Sequence, residues 1–303
     1  MPSCLTTELP FRIVGGLSSG GVYALIAIGY TLVYGVLQLI NFAHSEVFMS
    51  GILASSLFLG ALPAHDLGPM FLIVAAIPAM LTSGILAVAI ERVAYRPLRK
   101  RGAPRLAYLI SAIGMSLFLQ YTTQVWRGVN PEDVPSTITP TPWLHIAGVS
   151  VFNTDIIIIV TSLLMVFALE SFVRRTKTGR ALRAVAQDAE AAALMGVNID
   201  RVVMATFFIG GILAGAAGLL FGMNFGRTQW NIGFIPGIKA FTAAVLGGIG
   251  SIRGALVGGL VLGLMENISA GCFGTQWRDV VAFVLLVGVL MLRPTGIFGE
   301  KTV

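Results

Sequence analysis

The stretch Arg180-Ala-Leu-Arg-Ala-Val-Ala-Gln-Asp-Ala-Glu-Ala-Ala-Ala-Leu-Met-Gly196 is polar and helix-prone in a chain that is otherwise almost entirely apolar. It follows a basic cluster, Arg174, Arg175 and Lys177, and an apolar run from Val202 to Phe225 begins soon after it. Such a run has the length of a helix that crosses a membrane, which needs roughly 20 apolar residues. A polar segment between two membrane spans must lie in water on one side of the bilayer, where a partner can bind it.

The composition places the chain among helical membrane proteins. Of its 303 residues, 56% are hydrophobic and only 11% are charged, and the mean hydropathy is +0.86, whereas soluble domains are about one quarter charged. The apolar runs are continuous and do not alternate, which argues against a β-barrel. We therefore predict an all-α polytopic membrane protein. The net charge of +6 is concentrated in loops between apolar runs, which is typical of membrane topology, so we predict no nucleic-acid partner.

Seven apolar runs are candidate membrane spans, and an eighth region is interrupted. The seven runs are Phe11–Val36, Glu46–Leu62, Met70–Ile90, Leu106–Val125, Thr154–Val173, Val202–Phe225 and Val280–Leu292. The eighth region, Gly237–Ala270, contains Arg253 and many glycines. It can be one long helix, a re-entrant segment followed by a helix, or two short spans. We therefore expect eight or nine transmembrane or re-entrant helices.

Basic residues orient these helices, because loops rich in Lys and Arg remain in the cytoplasm. Two loops, residues 92–105 and 174–201, hold twelve of the twenty Lys and Arg residues, and two spans separate them. Both loops are therefore expected in the cytoplasm, and the three spans before the first loop place the N-terminus outside. Nine crossings would place Arg293 and Lys301 in the cytoplasm, whereas eight crossings would not.

Many glycines recur at a spacing of four, which permits close approach of helix backbones in lipid. The pairs are Gly16 and Gly20, Gly211 and Gly215, Gly218 and Gly222, Gly254 and Gly258, and Gly259 and Gly263. These pairs predict a tightly packed bundle. The run Gly247-Gly248-Ile249-Gly250 is different, because three glycines in four residues disfavour a straight helix. Since a helix broken within the membrane borders protein or a water-filled path, Gly247, Gly248 and Gly250 are candidates for the translocation path or its gate.

Two polar groups lie at or between the apolar runs. The bridge Asn41-Phe42-Ala43-His44-Ser45-Glu46 is either a turn in which His44 or Ser45 caps the next helix or a polar element at the mouth of a path. Glu266-Asn267 has the same two interpretations. Because ionisable groups at membrane depth are costly and usually functional, we take Asn41, His44, Glu46, Glu266 and Asn267 as further path candidates.

The segment from residue 180 to residue 196 has the pattern of two short helices. Its apolar positions recur at helical spacing: Leu182, Val185, Ala186 and Ala189. Thr178 can cap the first helix, Asp188 can cap the second, and Gly196 suits the left-handed residue that ends a helix. A partner protein can dock on this helix pair, or the pair can rest on the lipid headgroups as an amphipathic linker.

Motifs for nucleotide hydrolysis and metal catalysis are absent from the sequence. The patterns G-x-x-x-x-G-K-[ST], H-E-x-x-H and C-x-x-C do not occur. We therefore expect a chain that does not hydrolyse ATP on its own and that carries no resident cofactor or metal.

Four segments resemble the LivH-type permeases of branched-chain amino acid ABC importers. Glu190-Ala191-Ala192-x-x-x-Gly196 resembles the EAA loop of ABC importer permeases. Asn41-Phe42-Ala43-His44-Ser45-Glu46 resembles the family's N-F-A-H-G-E segment, with Ser45 where the family usually has glycine. Glu91-Arg92-x-x-Tyr95-Arg96-Pro97-Leu98-Arg99 resembles the first cytoplasmic loop, and Ala243–Gly259 resembles the late glycine-rich segment. The four segments follow the family's order along the chain.

The resemblance implies a single permease domain over residues 1–303 in the bacterial plasma membrane, with a cytoplasmic coupling loop at residues 174–201. The implied partners are a second, LivM-type permease, two cytoplasmic ATP-binding subunits that hold ATP and Mg²⁺, and an extracytoplasmic substrate-binding protein. The coupling loop would dock on an ATP-binding subunit. The residues assigned to coupling are Arg180, Arg183, Asp188, Glu190, Ala191, Ala192 and Gly196.

The implied substrate is a branched-chain, hydrophobic amino acid, although urea and short-chain amide importers use similar permeases. A passive channel for a small neutral solute would suit a glycine-rich bundle, but it gives no reason for the polar helix pair. An ion-coupled carrier would need buried acids or an inverted repeat of broken helices. Phe11–Gly51 and Gly237–Glu266 are both glycine-rich but show no clear common register. An intramembrane enzyme is the remaining alternative.

Overall fold

The computed structural model describes residues 9–61, 68–135, 138, 140–146, 149–293 and 295–298. The helices are α1 (Leu9–Leu37), α2 (His44–Ala61), α3 (Gly68–Ile90), α4 (Arg96–Lys100), α5 (Arg105–Arg127), α6 (Asn153–Arg175), α7 (Lys177–Gln187), α8 (Ala189–Leu194), α9 (Ile199–Phe225), α10 (Phe234–Gly247), α11 (Ile252–Phe273) and α12 (Trp277–Leu292). A π-helical turn, Glu91–Tyr95, joins α3 to α4 without a break.

Four short strands lie in the loops between helices. They are β1 (Glu132–Asp133), β2 (Pro142–Ile146), β3 (Val149–Phe152) and β4 (Arg227–Thr228). β1 pairs antiparallel with β4, and β2 pairs antiparallel with β3. The first pair ties the loop after α5 to the loop after α9, at the end of the bundle opposite to the basic loops.

The predicted fold class is confirmed. Six of the described helices are long and apolar enough to cross a membrane, namely α1, the continuous helix from Leu72 to Lys100, α5, α6, α9 and α11. Each of the seven predicted spans falls on an apolar helix, although Leu62, the last residue of the second span, lies outside the described residues. Helices α2, α10 and α12 are shorter, with 18, 14 and 16 residues.

The interrupted region Gly237–Ala270 forms an antiparallel hairpin of α10 and α11, so it is not one long helix. Gly248 and Gly250 have φ angles of 100° and 104° and make the turn, which residues with a side chain rarely allow. The two helices begin to pack directly at this turn, because Gly247 and Gly254 approach each other backbone to backbone.

The C-terminal segment returns to this same turn. Ile297 N donates a hydrogen bond to Leu246 O at 2.9 Å, and Phe298 N donates one to Gly247 O at 3.0 Å. The turn lies at the end of the bundle that carries the two basic loops, because Arg253 pairs at 2.7 Å with Glu170 at the end of α6. This end is called the basic end below. The placement agrees with nine crossings, while Lys301 lies outside the described residues.

The bundle contains an internal repeat that relates α1, α2, α3 and α5 to α9, α10, α11 and α12. Helix α9 begins 190 positions after α1, and α10 begins 190 positions after α2. The same shift aligns Gly20-Gly21 with Gly210-Gly211 and Ala24 with Ala214. The packing repeats as well, because α1 lies along α11 as α9 lies along α3, and α2 contacts α9 as α10 contacts α1.

The two halves are inverted relative to each other. Tyr95 donates its hydroxyl to Asn41 Oδ1 at 2.8 Å, just after the C-terminal end of α1. The ring of Tyr95 lies 5.3 Å from that of Phe207, in the N-terminal third of α9. The last turns of α1 and the first turns of α9 therefore lie at the same end of the bundle, so the two helices run in opposite directions.

Two seams of small residues hold the repeat together. Gly16 and Gly20 of α1 face Leu264 and Gly259 of α11, while Gly215 of α9 faces the backbone of Ala79 in α3. A Cβ atom at either face would meet backbone atoms of the opposite helix. Helix association in lipid depends on such van der Waals contact, because there is no hydrophobic drive between helices.

We expect Gly263→Ala to lower the thermal unfolding midpoint of the purified protein. A Cβ at residue 263 would lie 2.4 Å from the backbone nitrogen of Gly20, so α1 and α11 must separate. The matched control is Gly114→Ala in α5, where no atom lies within 4 Å of the added Cβ. Alanine is favoured over glycine in a helix by about 1 kcal/mol, so the control should be neutral or stabilising. Equal midpoints for the two variants would contradict the seam.

Candidate functional site

The loop of residues 174–201 forms two capped helices at the basic end. Gly179 N donates to Thr176 Oγ1 at 3.0 Å, so Thr176 caps α7 in place of the expected Thr178. Asp188 Oδ1 accepts from Glu190 N at 2.9 Å and from Ala191 N at 3.0 Å, as predicted for the cap of α8. Gly196 has a φ angle of 85°, which confirms the predicted left-handed end.

One face of this helix pair is anchored on the bundle. Leu182, Val185 and Ala192 are buried, and α7 contacts α1, α6 and α9. The pair is therefore held on protein, in contrast to a linker that only rests on headgroups.

The opposite face of the helix pair is exposed. Of the residues assigned to coupling, all except Ala192 are exposed: Arg180, Arg183, Asp188, Glu190, Ala191 and Gly196. Leu194 and Met195 are 89% and 84% exposed and form an apolar tip at the end of α8. Sequence reasoning did not single out this tip, although two large apolar residues directly before the ending glycine are a visible signal.

Ion pairs connect the 174–201 loop to the first basic loop. Asp200, at the start of α9, accepts from Arg96 at 3.0 Å and from Arg99 at 2.7 Å. Arg99 also pairs with the buried Glu91 at 2.9 Å. Exposed ion pairs contribute little one by one. This cluster is nevertheless shared by three elements, because it joins the π-helical turn and α4 to the N-terminal end of α9.

The bridge from Asn41 to Glu46 is a buried turn that begins α2. Asn41 Oδ1 accepts from Ala43 N at 3.1 Å and from the hydroxyl of Tyr95. His44 is 1% exposed and packs between Gly29 and Gly210, with the Tyr30 ring edge-on at 4.9 Å. The two expected caps, His44 and Ser45, instead lie within the first turn of α2, and the Asn41 side chain accepts from the backbone just before the helix.

Glu46 lies in the first turn of α2 and is fully buried. Its Oε1 accepts from Gln120 Nε2 at 2.8 Å and from Ser116 Oγ at 3.1 Å, both on α5. Ser45 Oγ lies 3.0 Å from the same oxygen and can donate either to it or to Phe42 O. Glu46 Oε2 has no hydrogen-bond partner among the described residues. Buried carboxylates normally have partners, so Glu46 has one acceptor atom that the described residues leave unsatisfied.

A groove of about 540 Å³ between α2, α3 and α5 begins at Glu46. Its wall is largely apolar and is formed by Met49, Ser50, Leu53, Ala54, Leu57, Phe58, Pro78, Thr82, Leu86, Leu119, Thr123 and Trp126. The rim is open, because Leu57 and Trp126 are exposed. The geometry suits a small apolar molecule with one polar group.

An ionic cluster with two buried members, Lys239 and Glu266, and one exposed member, Asp279, joins α10, α11 and α12. Lys239 Nζ lies 2.7 Å from Glu266 Oε1 and 2.7 Å from Asp279 Oδ1. Lys239 and Glu266 border a pocket of about 350 Å³, and Asn267 borders a neighbouring pocket of about 290 Å³. Arg278 borders both pockets. Because their opposite charges are paired inside protein, the cost of burying Lys239 and Glu266 is reduced.

The predicted path residues therefore lie in three places. Asn41, His44 and Glu46 gather at the start of α2, Glu266 and Asn267 lie on α11, and Gly247, Gly248 and Gly250 form or border the hairpin turn at the basic end. The structure does not join them into one site, and their assignment to a path stays a prediction.

In the described part of the chain, no group of three or more His, Cys, Asp or Glu side chains could hold a metal ion. The sequence Gly16-Leu-Ser-Ser-Gly20 matches the letters of a G-x-S-x-G nucleophile motif. It lies inside the continuous helix α1, whereas that motif requires a sharp turn from a strand to a helix.

Comparison with known proteins identifies the family. The family model of the permease component of the branched-chain amino acid transport system matches residues 12–290. The chain is 46% identical to the high-affinity branched-chain amino acid transport system permease protein BraD of Pseudomonas aeruginosa and 44% identical to LivH of Escherichia coli, in each case over 96% of both chains. It is 26% identical to a probable branched-chain amino acid transport permease LivH of Methanocaldococcus jannaschii, over 94% of this chain and 91% of that one.

These relatives are permeases of transport systems, and six described helices have the length and apolarity of membrane spans. The chain is a multi-pass bacterial membrane protein, and the predicted resemblance to LivH-type permeases is confirmed. It belongs to the family of permease components of branched-chain amino acid transport systems.

Proposed function

We propose that the chain is the transmembrane permease subunit of an ATP-driven ABC importer for branched-chain, hydrophobic amino acids. The observation that carries the proposal is the helix pair α7–α8, which is anchored on the bundle by one face and presents the exposed tip of Leu194 and Met195 with the other. Large exposed apolar residues rimmed by charges are typical of a protein interface. The tip would insert into a groove of a cytoplasmic ATP-binding subunit.

The remaining partners follow from this role. A second, LivM-type permease would complete the translocation path, and an extracytoplasmic binding protein would deliver the substrate at the end opposite to the basic end. Two ATP-binding subunits would hold ATP and Mg²⁺, so the chain itself would need no cofactor. The substrate is proposed by analogy with the relatives, which are branched-chain amino acid permeases; urea and short-chain amides are the alternative cargo.

Motion at the helix pair would reach the spans through the ionic cluster at its end. When the ATP-binding subunits close, α8 would be displaced with them. Asp200 would transmit the displacement to α9 directly and to the helix of α3 and α4 through Arg96 and Arg99. These helices pack along each other through the Gly215 seam, so a shift in one would move both halves of the repeat.

An ion-coupled carrier is the second candidate, because the chain has buried acids and an inverted repeat. The function of an ion-coupled carrier does not explain an exposed apolar tip at the basic end. The function of a passive channel does not explain it either. The three functions differ in their energy source, and transport measurements can therefore separate them.

Uptake should require ATP and the binding protein. Proteoliposomes that hold the whole complex, with ATP enclosed and binding protein outside, should accumulate labelled leucine. Collapse of the ion gradients with ionophores should leave uptake unchanged. Uptake that continues without ATP would support the channel, and uptake that collapses with the gradients at constant ATP would support the carrier.

The double variant Leu194→Asp and Met195→Asp should abolish uptake and release the ATP-binding subunits during purification, because two charges cannot be buried in an apolar groove. The chain should still insert into the membrane. The matched control is Leu292→Asp at the end of α12, where the leucine is 84% exposed and lies outside the helix pair. Retention of the ATP-binding subunits by the double variant would contradict docking through the tip.

Asp188→Ala should lower uptake more than Asp188→Asn. Both changes remove the negative charge, but asparagine keeps the side-chain oxygen that caps α8, and loss of a cap costs about 1 kcal/mol. The measurement is uptake at equal amounts of complex in the membrane. Equal defects in the two variants would show that the charge of Asp188 matters and that the cap does not.

A further inference from the structure

We propose that the groove beside Glu46 binds the ammonium group of the transported amino acid and holds its aliphatic side chain against the apolar wall. This inference rests on the proposed function and names a recognition site within it. Glu46 supplies the anion, and the wall is provided by Leu53, Leu57, Leu86 and Leu119.

The carboxylate is fixed in place before any ligand arrives. Gln120 and Ser116 hold one of its oxygens, Oε1, from α5, and the N-terminal end of α2 favours a negative charge at its first turn. These groups are neutral hydrogen-bond donors, so a ligand ammonium would be the first cation in contact with Glu46 among the described residues. The second oxygen, Oε2, is buried and has no partner among the described residues. One or two N–H donors from a ligand would satisfy it.

The hydroxyl groups of the groove favour a ligand group that donates hydrogen bonds over one that accepts them. Thr82 Oγ1 donates to Pro78 O at 2.6 Å, Ser50 Oγ donates to Val47 O at 2.6 Å, and Thr123 Oγ1 donates to Leu119 O. Their protons are used by the backbone, so the hydroxyls offer oxygen lone pairs to the groove. No lysine or arginine lies among the lining residues. A ligand's carboxylate would thus find no cationic partner in the groove and would point to the open rim, where Trp126 carries an indole N–H donor.

The size and the shape of the groove match this ligand. Its volume of about 540 Å³ lies within the range of small-molecule sites, which is roughly 300–1,000 Å³. The carboxylate at one end of the groove is complementary to the ammonium group of the amino acid. The leucines along the wall are complementary to its branched side chain. An ammonium paired with a buried carboxylate interacts far more strongly than it would in water.

The experiment uses the purified complex of the chain with its partner subunits in lipid nanodiscs, without the binding protein. The probes are tritiated 3-methylbutylamine, which has the ammonium and the side chain, and tritiated 4-methylpentanoate, which has the carboxylate in place of the ammonium. We expect the amine to bind and the acid not to bind. Glu46→Gln should weaken binding of the amine by about tenfold or more, because a buried charge pair is lost. Glu132→Gln, a carboxylate change outside the groove, should leave amine binding unchanged.

Two results would overturn the inference: amine binding that survives Glu46→Gln, or equal binding of the acid and the amine. If the Glu46→Gln complex does not assemble, Leu53→Trp is the second variant, because it fills the groove and leaves the carboxylate in place. Leu53→Trp should block binding of the amine. Unaltered amine binding in that variant would also refute the site. ATP-dependent leucine uptake by the unmodified complex is measured in parallel. Uptake that does not need ATP would refute the proposed function itself, whereas ATP-dependent uptake without amine binding would refute only the groove.

Discussion

Backbone-to-backbone packing of glycine-rich helices is the constraint on which the rest of the structure depends. Helix α1 lies against α11 at Gly20 and Gly259, and α9 lies against α3 at Gly215. In lipid these contacts supply association that hydrophobic burial cannot supply. Because the two seams are formed by equivalent helices of an inverted repeat, the same helix pair occurs twice in the bundle, as α1 with α11 and as α9 with α3. The contact between α1 and α9 joins the two pairs.

The seams also determine where polar groups can be held inside the bundle. The chain turns between each long helix and the short helix that follows it. Helix α2 begins among buried residues, whereas α10 begins with the exposed Phe234 and Ile235 and is buried from Pro236 onward. Each short helix then carries a buried ionisable group that reaches the fourth helix of its own half. Glu46 of α2 reaches Ser116 and Gln120 on α5, and Lys239 of α10 reaches Asp279 on α12. The two groups lie on equivalent helices but not at equivalent positions, because a shift of 190 places Pro236 opposite Glu46 and Met49 opposite Lys239.

Sequence reasoning succeeded where local chemistry determines structure. The spans follow from apolar length, and the cap at Asp188 and the left-handed Gly196 follow from residue type alone. It did not find the inverted repeat, because the two glycine-rich segments considered, Phe11–Gly51 and Gly237–Glu266, are not in the 190-position register that relates α1 and α2 to α9 and α10. Small residues are frequent in every span, so composition does not reveal that register. The partners of Glu46 could not be predicted either, since they lie more than 60 positions away on α5.

The difference between the two buried charges bears on how a permease can recognise a zwitterion. At α10, Glu266 also has an oxygen without a hydrogen-bond partner among the described residues, Oε2, but Lys239 lies 2.7 Å from both Glu266 and Asp279, so the charges of that site are already paired. Glu46 is hydrogen-bonded only by neutral groups, and one of its oxygens is unpartnered among the described residues. A ligand ammonium at Glu46 adds an interaction and removes none. Of the two sites, the one at α2 therefore carries a carboxylate with no cationic partner among the described residues, whereas the carboxylates at α10 are already paired with Lys239.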